Sequence, residues 1–219
     1  MSQVYAIYGA SGCGREVMPI LKDSLSKLGK TLNNIYFIDD SISSGGTIHG
    51  VPVVNFDDFC KLNADEKFVN VAIAASKIRE ELANKLLNIG VKIFSLTANN
   101  VIKYENIEIE DGAILSSFVT LTSDIKIGKS FHANIYSYVC HDCIIGDYVT
   151  LAPAAKINGN VILEDHCYIG TGAIIKQGSP ENPVVIGKGA IVGMGAVVTK
   201  SVKAGEIVVG NPARILKKS

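Results

Sequence analysis

The sequence carries no excess of charge. It has 21 Lys and Arg against 21 Asp and Glu, and only 19% of residues are charged. Without a basic surplus there is no electrostatic footprint for nucleic acid or an anionic membrane surface. Long apolar runs are missing too, since no stretch approaches the ~18 residues a membrane span needs. The 47% of hydrophobic residues is nonetheless ample for a core. Scarce charge fits an architecture of repeated apolar positions better than one of amphipathic helices. Met1–Ile7 enters a strand-like run directly, with no basic n-region or small-residue cleavage site, so no signal peptide is expected. The cysteines are odd in number and scattered: Cys13, Cys60, Cys140, Cys143 and Cys167. The Cys140–Cys143 spacing suits a redox pair or zinc. Cys143 and Cys167, however, fall on repeat positions that want a small, weakly polar side chain, and free cysteine packs as one. A reduced, cytoplasmic protein is the expectation.

The first half alternates strand-like and helix-like stretches. Val4–Tyr8 is a short apolar run ending in Gly9-Ala-Ser-Gly12-Cys-Gly14, and a helical pattern follows through Val17, Ile20, Leu21, Leu25 and Leu28. Ile35–Ile38 reads as a second buried strand ending at Asp39-Asp40, followed by a turn-rich Ser41–Gly50. Phe56–Leu62 and Ile78–Ile89 read as helices, Phe68–Ala74 and Val91–Leu96 as strands. This alternation predicts a small Rossmann-like α/β unit with a parallel sheet over residues 1–97.

The grammar changes at about Ile109. An aliphatic or small residue recurs every six positions: Ile109, Leu115, Leu121, Ile127, Ala133, Val139, Ile145, Leu151, Ile157, Leu163, Ile169 and Ile175. After a five-residue slip across Glu181–Val185 the register resumes at Ile186, Val192, Val198 and Ala204. Four residues after each sits a small or modest side chain, such as Ala113, Ser137, Cys143, Ala155 or Ala190. A period of six excludes an α-helix and a simple two-faced sheet. Its physical solution is a solenoid that stacks coil on coil and buries a column of aliphatic side chains. Residues 98–219 are therefore expected to form an all-β solenoid.

Several polar residues stand out against these frames. His141 occupies neither the inward aliphatic nor the small position of its hexad. With three hexads per coil, a residue stacks on the one 18 positions later, which puts Gly159 above His141. A glycine lets a ligand approach the backbone, and a bare amide N–H can stabilise an oxyanion. An exposed polar residue on a coil face is the plain alternative. His132, His141 and His166 lie 9 and 25 residues apart on different edges with no acidic cluster, so no metal is expected. The Gly9–Gly14 loop follows a strand and opens a helix, as phosphate-cradling loops do, with Gly9, Ser11 and Gly12 near the anion. It is GxxGxG rather than the dinucleotide fingerprint GxGxxG, which argues against NAD. Asp39 and Asp40 could accept hydrogen bonds from a nucleotide's ribose or base, and Arg79 could supply charge near a diphosphate. A tight turn with an acidic strand-end cap and a surface arginine would read the same.

The hexads resemble the left-handed parallel β-helix of hexapeptide acyltransferases, which implies trimers with acyl-CoA sites in the grooves between subunits. Val209-Gly-Asn-Pro-Ala-Arg214, with Lys217 and Lys218 beyond it, is similar to that family's terminal segment. Asn134 through Gly159, with Tyr8-Gly-Ala-Ser-Gly12 and Phe37-Ile-Asp-Asp40, resembles the nucleotide-sugar N-acetyltransferases of the bacillosamine pathway, the perosamine N-acetyltransferases and the NeuD-like acetyltransferases. The resemblance implies that His141 is the general base and that Asp142 orients it, although many members carry Glu there. Since adjacent strand residues face opposite ways, that pairing requires a bend. It further implies Asn134 near the sugar amine, and Gly159 and Thr171 lining the acetyl-CoA groove. Asp39-Asp40 would recognise uracil. Thr150 stands where some relatives place a second histidine toward coenzyme A, so that contact differs or is absent.

The expectation is an acetyl-CoA-dependent N-acetyltransferase acting on the 4-amino group of a UDP-linked 4-amino-4,6-dideoxy-N-acetyl-hexosamine, as a homotrimer without metal. The alternatives are a sialic acid or other sugar O-acetyltransferase and an enzyme for a dTDP- or GDP-linked amino sugar. A trimeric scaffold or nucleotide sensor is the non-enzymatic alternative.

Overall fold

The computed structural model describes residues 2–42 and 45–216, so Lys217 and Lys218 lie outside the described residues. The chain divides into two compact units, Met1–Leu96 and Thr97–Ser219.

In the first unit, β1 (Gln3–Tyr8), β2 (Ile35–Ile38), β4 (Val51–Val54), β5 (Glu66–Val71) and β6 (Lys92–Ile93) are parallel. A short β3 (Thr47–Ile48) lies antiparallel on the edge, giving the order β3-β4-β2-β1-β5-β6. Helices α1 (Gly12–Lys27), α2 (Phe56–Lys61) and α3 (Ser76–Asn88) make the connections. Ala6, Ile7, Phe37, Ile38 and Val69 are buried in the sheet, and Val17, Leu21 and Leu25 face it from α1 at helical spacing. The hairpin of β3 and β4 puts two strands at and just after the turn-rich Ser41–Gly50, where none was expected. His49 and Gly50 both take positive φ (48° and 75°), the requirement of a two-residue hairpin turn.

The second unit is a left-handed β-helix of three sheets with eight, six and five strands. Ile114, His132, Thr150 and Tyr168 pair in succession, as do Thr120, Tyr138, Lys156 and Ile174, each step being 18 residues. The aliphatic column from Leu115 to Ile175 and the small residues between form one continuous buried core. The five-residue slip appears as Val161 pairing with Val184.

One expected core position fails. Ala204 is exposed, and Val202 and Val208 are buried instead. Ile186 bridges Val202 and Val192 pairs with Val208, both 16 residues apart, so the last coil is two residues short. Among the described residues, no helix is long and apolar enough to cross a membrane.

Candidate active site

The prism turns its corners at the fourth residue of each hexad, where φ is positive: Asp124, Ser130, Tyr136, Asp142, Tyr148, Ala154, Asn160 and His166 all lie between 50° and 61°. Asn and Asp tolerate this conformation best among non-glycine residues. The corner at Asp142 (φ 58°) supplies the bend that the pairing with His141 requires. His141 Nδ1 lies 2.6 Å from Asp142 Oδ2, with both side chains about half exposed. A carboxylate only accepts, so in the neutral ring Nδ1 carries the proton and Nε2 the lone pair.

Gly159 stacks on this pair as the 18-residue period requires. A Cβ built on Gly159 would stand 2.5 Å from His141 Cε1 and 2.6 Å from Nε2, so only glycine leaves room for the ring. The Gly159 carbonyl accepts the Gly178 N–H at 3.0 Å, while its own N–H has no acceptor among the described residues.

The other expected residues occupy different places on the prism. Asn134 is half-buried at the corner before the strand Tyr138–Val139, whereas His141 lies at the corner after it. Its Nδ2 is committed to the Leu151 carbonyl at 2.8 Å. Asn158 repeats that bond, to Ile175, from the same hexad position. Thr171 is exposed two coils above Asn134, on that same edge. Thr150 is buried at 4% exposure, between the edges. The chain therefore brings together His141, Asp142 and Gly159, and sets Asn134 and Thr171 on a neighbouring edge.

In the first unit, the Gly9 loop leaves β1 at its carboxyl end. Gly9 takes φ +104° and donates to the Ile38 carbonyl. A Cβ at Gly14 would overlap the Gly9 carbonyl oxygen, so close packing of α1 demands that glycine, whereas Gly12 faces open space. Ser11 is the α1 N-cap but makes no side-chain cap. Ala75 likewise leaves α3 uncapped, and neither helix has an acidic residue in its first turn. By contrast, α2 is capped by Asn55 and carries Asp57 and Asp58. Two uncapped N-termini lie at the carboxyl ends of β1 and β5, where the strand order reverses, and the dipoles of both helix starts favour an anion there. The α3 contribution was not foreseen, because Ala75-Ser76 carries no glycine signature.

Asp39 and Asp40 also serve the protein's own loops, with Asp39 half-buried and Asp40 exposed. Asp39 accepts from Ala10 N (2.9 Å), Ser41 N (3.0 Å) and Ser41 Oγ (2.6 Å). Burial alone would raise its pKa, but those three bonds outweigh it and hold the carboxyl below the usual range. Asp40 accepts from Tyr8 OH (2.6 Å) and from Phe56 N at the start of α2 (2.8 Å). The pair ties the Gly9 loop to its surroundings. Arg79 is fully buried rather than on the surface, with Nη1 donating to the Ile73 and Ala74 carbonyls at 2.7 and 3.2 Å. Its charge is felt at Cys13, in the first turn of α1: burial raises that thiol's pKa and Arg79 opposes the rise. Arg79 thus shapes the loop before α3 and adds positive potential between the two helix starts. No group of three or more metal-ligating side chains occurs among the described residues.

Known proteins share this plan. Residues 5–86 match the family model described as the PglD N-terminal domain. The GDP-perosamine N-acetyltransferase of Escherichia coli O157:H7 is 49% identical over 216 residues, covering 99% of this chain and 97% of that protein. WeeI from Acinetobacter baumannii AYE superimposes with a TM-score of 0.95 at 55% identity, over 98% of this chain and 100% of that one. PerB from Caulobacter crescentus, solved in complex with CoA and GDP-perosamine, gives 0.82 at 25% identity, over 98% and 97%. An N-terminal α/β unit with two uncapped helix starts, a β-helix carrying a histidine–aspartate pair and end-to-end similarity together show that the chain belongs to the hexapeptide-repeat nucleotide-sugar N-acetyltransferases, the acetyl-CoA-dependent family of the perosamine and PglD-type enzymes.

Proposed function

We propose that this enzyme transfers acetyl from acetyl-CoA to the amino group of a GDP-linked 4-amino sugar of the perosamine type, in the cytoplasm, for surface glycan synthesis. The observation that carries the reading is the 49% identity, over nearly the whole chain, to a GDP-perosamine N-acetyltransferase. It replaces the UDP-linked sugar expected from the sequence, because the resemblance to bacillosamine enzymes does not discriminate the base.

His141 Nε2, with Nδ1–H held by Asp142, takes a proton from the sugar amine as its nitrogen adds to the thioester carbonyl. The Gly159 N–H faces the resulting oxyanion. The C–S bond then breaks and coenzyme A leaves as thiolate, with no acyl-enzyme. The nucleotide diphosphate sits on the N-termini of α1 and α3, aided by Gly9, Ser11 and Gly12. In a homotrimer the separated edges would meet: Asn134 and Thr171 of one subunit would face His141 of the next across a groove that holds acetyl-CoA.

The test is product mass spectrometry on GDP-, UDP- and dTDP-linked 4-amino sugars with acetyl-CoA. Acetylation of the GDP sugar at the highest kcat/KM is expected. Preference for the UDP sugar would overturn the carrier.

A further inference from the structure

The Cys143 thiol is buried in the coil interior, 3.2 Å from the Asn158 carbonyl oxygen and 3.6 Å from that of His141. The His141 oxygen already accepts the Asn160 N–H at 3.0 Å. Among the described residues, no backbone N–H reaches the Asn158 oxygen, so the thiol proton belongs there. Burial pushes the thiol up to about 12, although the N–H groups of Val161 and Asn160 oppose the rise. The sulfur remains an S–H donor at physiological pH, weak but suited to a buried carbonyl.

The Asn158 carbonyl and the Gly159 N–H are the two ends of one peptide unit. That peptide is trans, so the two groups point in opposite directions. A carbonyl drawn inward to the buried thiol therefore sends the Gly159 N–H outward, on the edge where the His141 ring lies. A second edge of the prism repeats the device. Cys167 Sγ is 3.1 Å from the Gly187 carbonyl, and the N–H on the far side of that peptide, Lys188, donates to the Glu164 carboxylate at 2.7 Å. Cys167, Gly187 and Lys188 hold the same hexad places as Cys143, Asn158 and Gly159. There the outward N–H meets an anionic oxygen from within the chain, and at Gly159 that place is left for a ligand.

We propose that Cys143 is a positioning residue, which aims the Gly159 N–H at the acyl oxyanion by holding the opposite end of its peptide. The inference rests on the active-site reading above.

Its test compares C143V, C143S and H141N in steady-state acetylation of a GDP-linked 4-amino sugar. Valine fills the same hexad place at Val119, Val149 and Val161 within the core, so C143V should fold. Loss of one oxyanion donor costs roughly 10²–10³-fold, and mis-aiming it should cost about tenfold in kcat. KM for both substrates and the pH dependence set by His141 should stay unchanged, and C143S should recover most of the rate. Wild-type kcat in C143V, with H141N inactive, would overturn the role of Cys143 alone. Full turnover in H141N would overturn the active-site reading with it. If C143V does not fold, the C143S to C143A ratio of kcat decides, and a ratio near one overturns the proposal.

Discussion

The imidazole of His141 rests against the bare α-carbon of Gly159, one coil above, with no room for a methyl group between them. Gly159→Ala should therefore displace the ring while leaving the aliphatic column intact. A displacement of about 1 Å at a reacting group costs on the order of 10²-fold in rate. Kinetics paired with thermal unfolding check this: kcat should fall steeply while Tm stays close to wild type.

Asp142 has two tasks, holding Nδ1–H and turning the corner at φ 58°. Asn adopts that backbone conformation more readily than Ala, although Ala154 holds it at another corner (φ 58°), so Asp142→Asn isolates the first task. It should lower kcat/KM by about 10–100-fold, within the range of general-base catalysis, without loss of stability. Asp142→Ala should lower Tm as well.

The two glycines at the start of α1 should respond oppositely to the same change. Gly14→Ala drives a methyl into the Gly9 carbonyl, an overpacking that costs at least ~1–3 kcal/mol, visible as a lower Tm. Gly12→Ala meets nothing within 4 Å and should fold normally. If the loop receives the diphosphate, its effect appears in KM for the nucleotide sugar.

Asp39 contributes to stability with a definite sign. Its folded pKa is lowered, so its contribution is complete above the unfolded value of about 3.9 and is lost as pH falls through that value toward the folded one. Asp39→Asn removes this proton linkage. Between about pH 5 and 2, Tm of the wild type should fall more steeply than Tm of the variant.

Much of this was legible in the sequence because a six-residue period leaves few physical alternatives. Leu115 to Ile175 keep register, and the same register put Gly159 over His141. Ala204 misled because it continues the spacing, while the shortened last coil is set by pairing of Val192 with Val208. The hairpin at His49-Gly50 was missed since His-Gly is not one of the Asn-Gly, Asp-Gly or Gly-Gly pairs that signal a two-residue hairpin turn. Arg79 read equally as a charge near a diphosphate or as a surface arginine, because helical spacing does not reveal which carbonyls a buried guanidinium will serve. The contact of Asp142 with His141 depended on a corner that falls on the fourth hexad residue whatever its type.

The most direct test of the account is steady-state turnover of His141→Ala with acetyl-CoA and a GDP-linked 4-amino sugar, alongside calorimetric binding of that sugar. Loss of the general base should lower kcat by about 10²–10⁴-fold while sugar affinity stays within a few-fold of wild type. Turnover near the wild-type rate would contradict the mechanism.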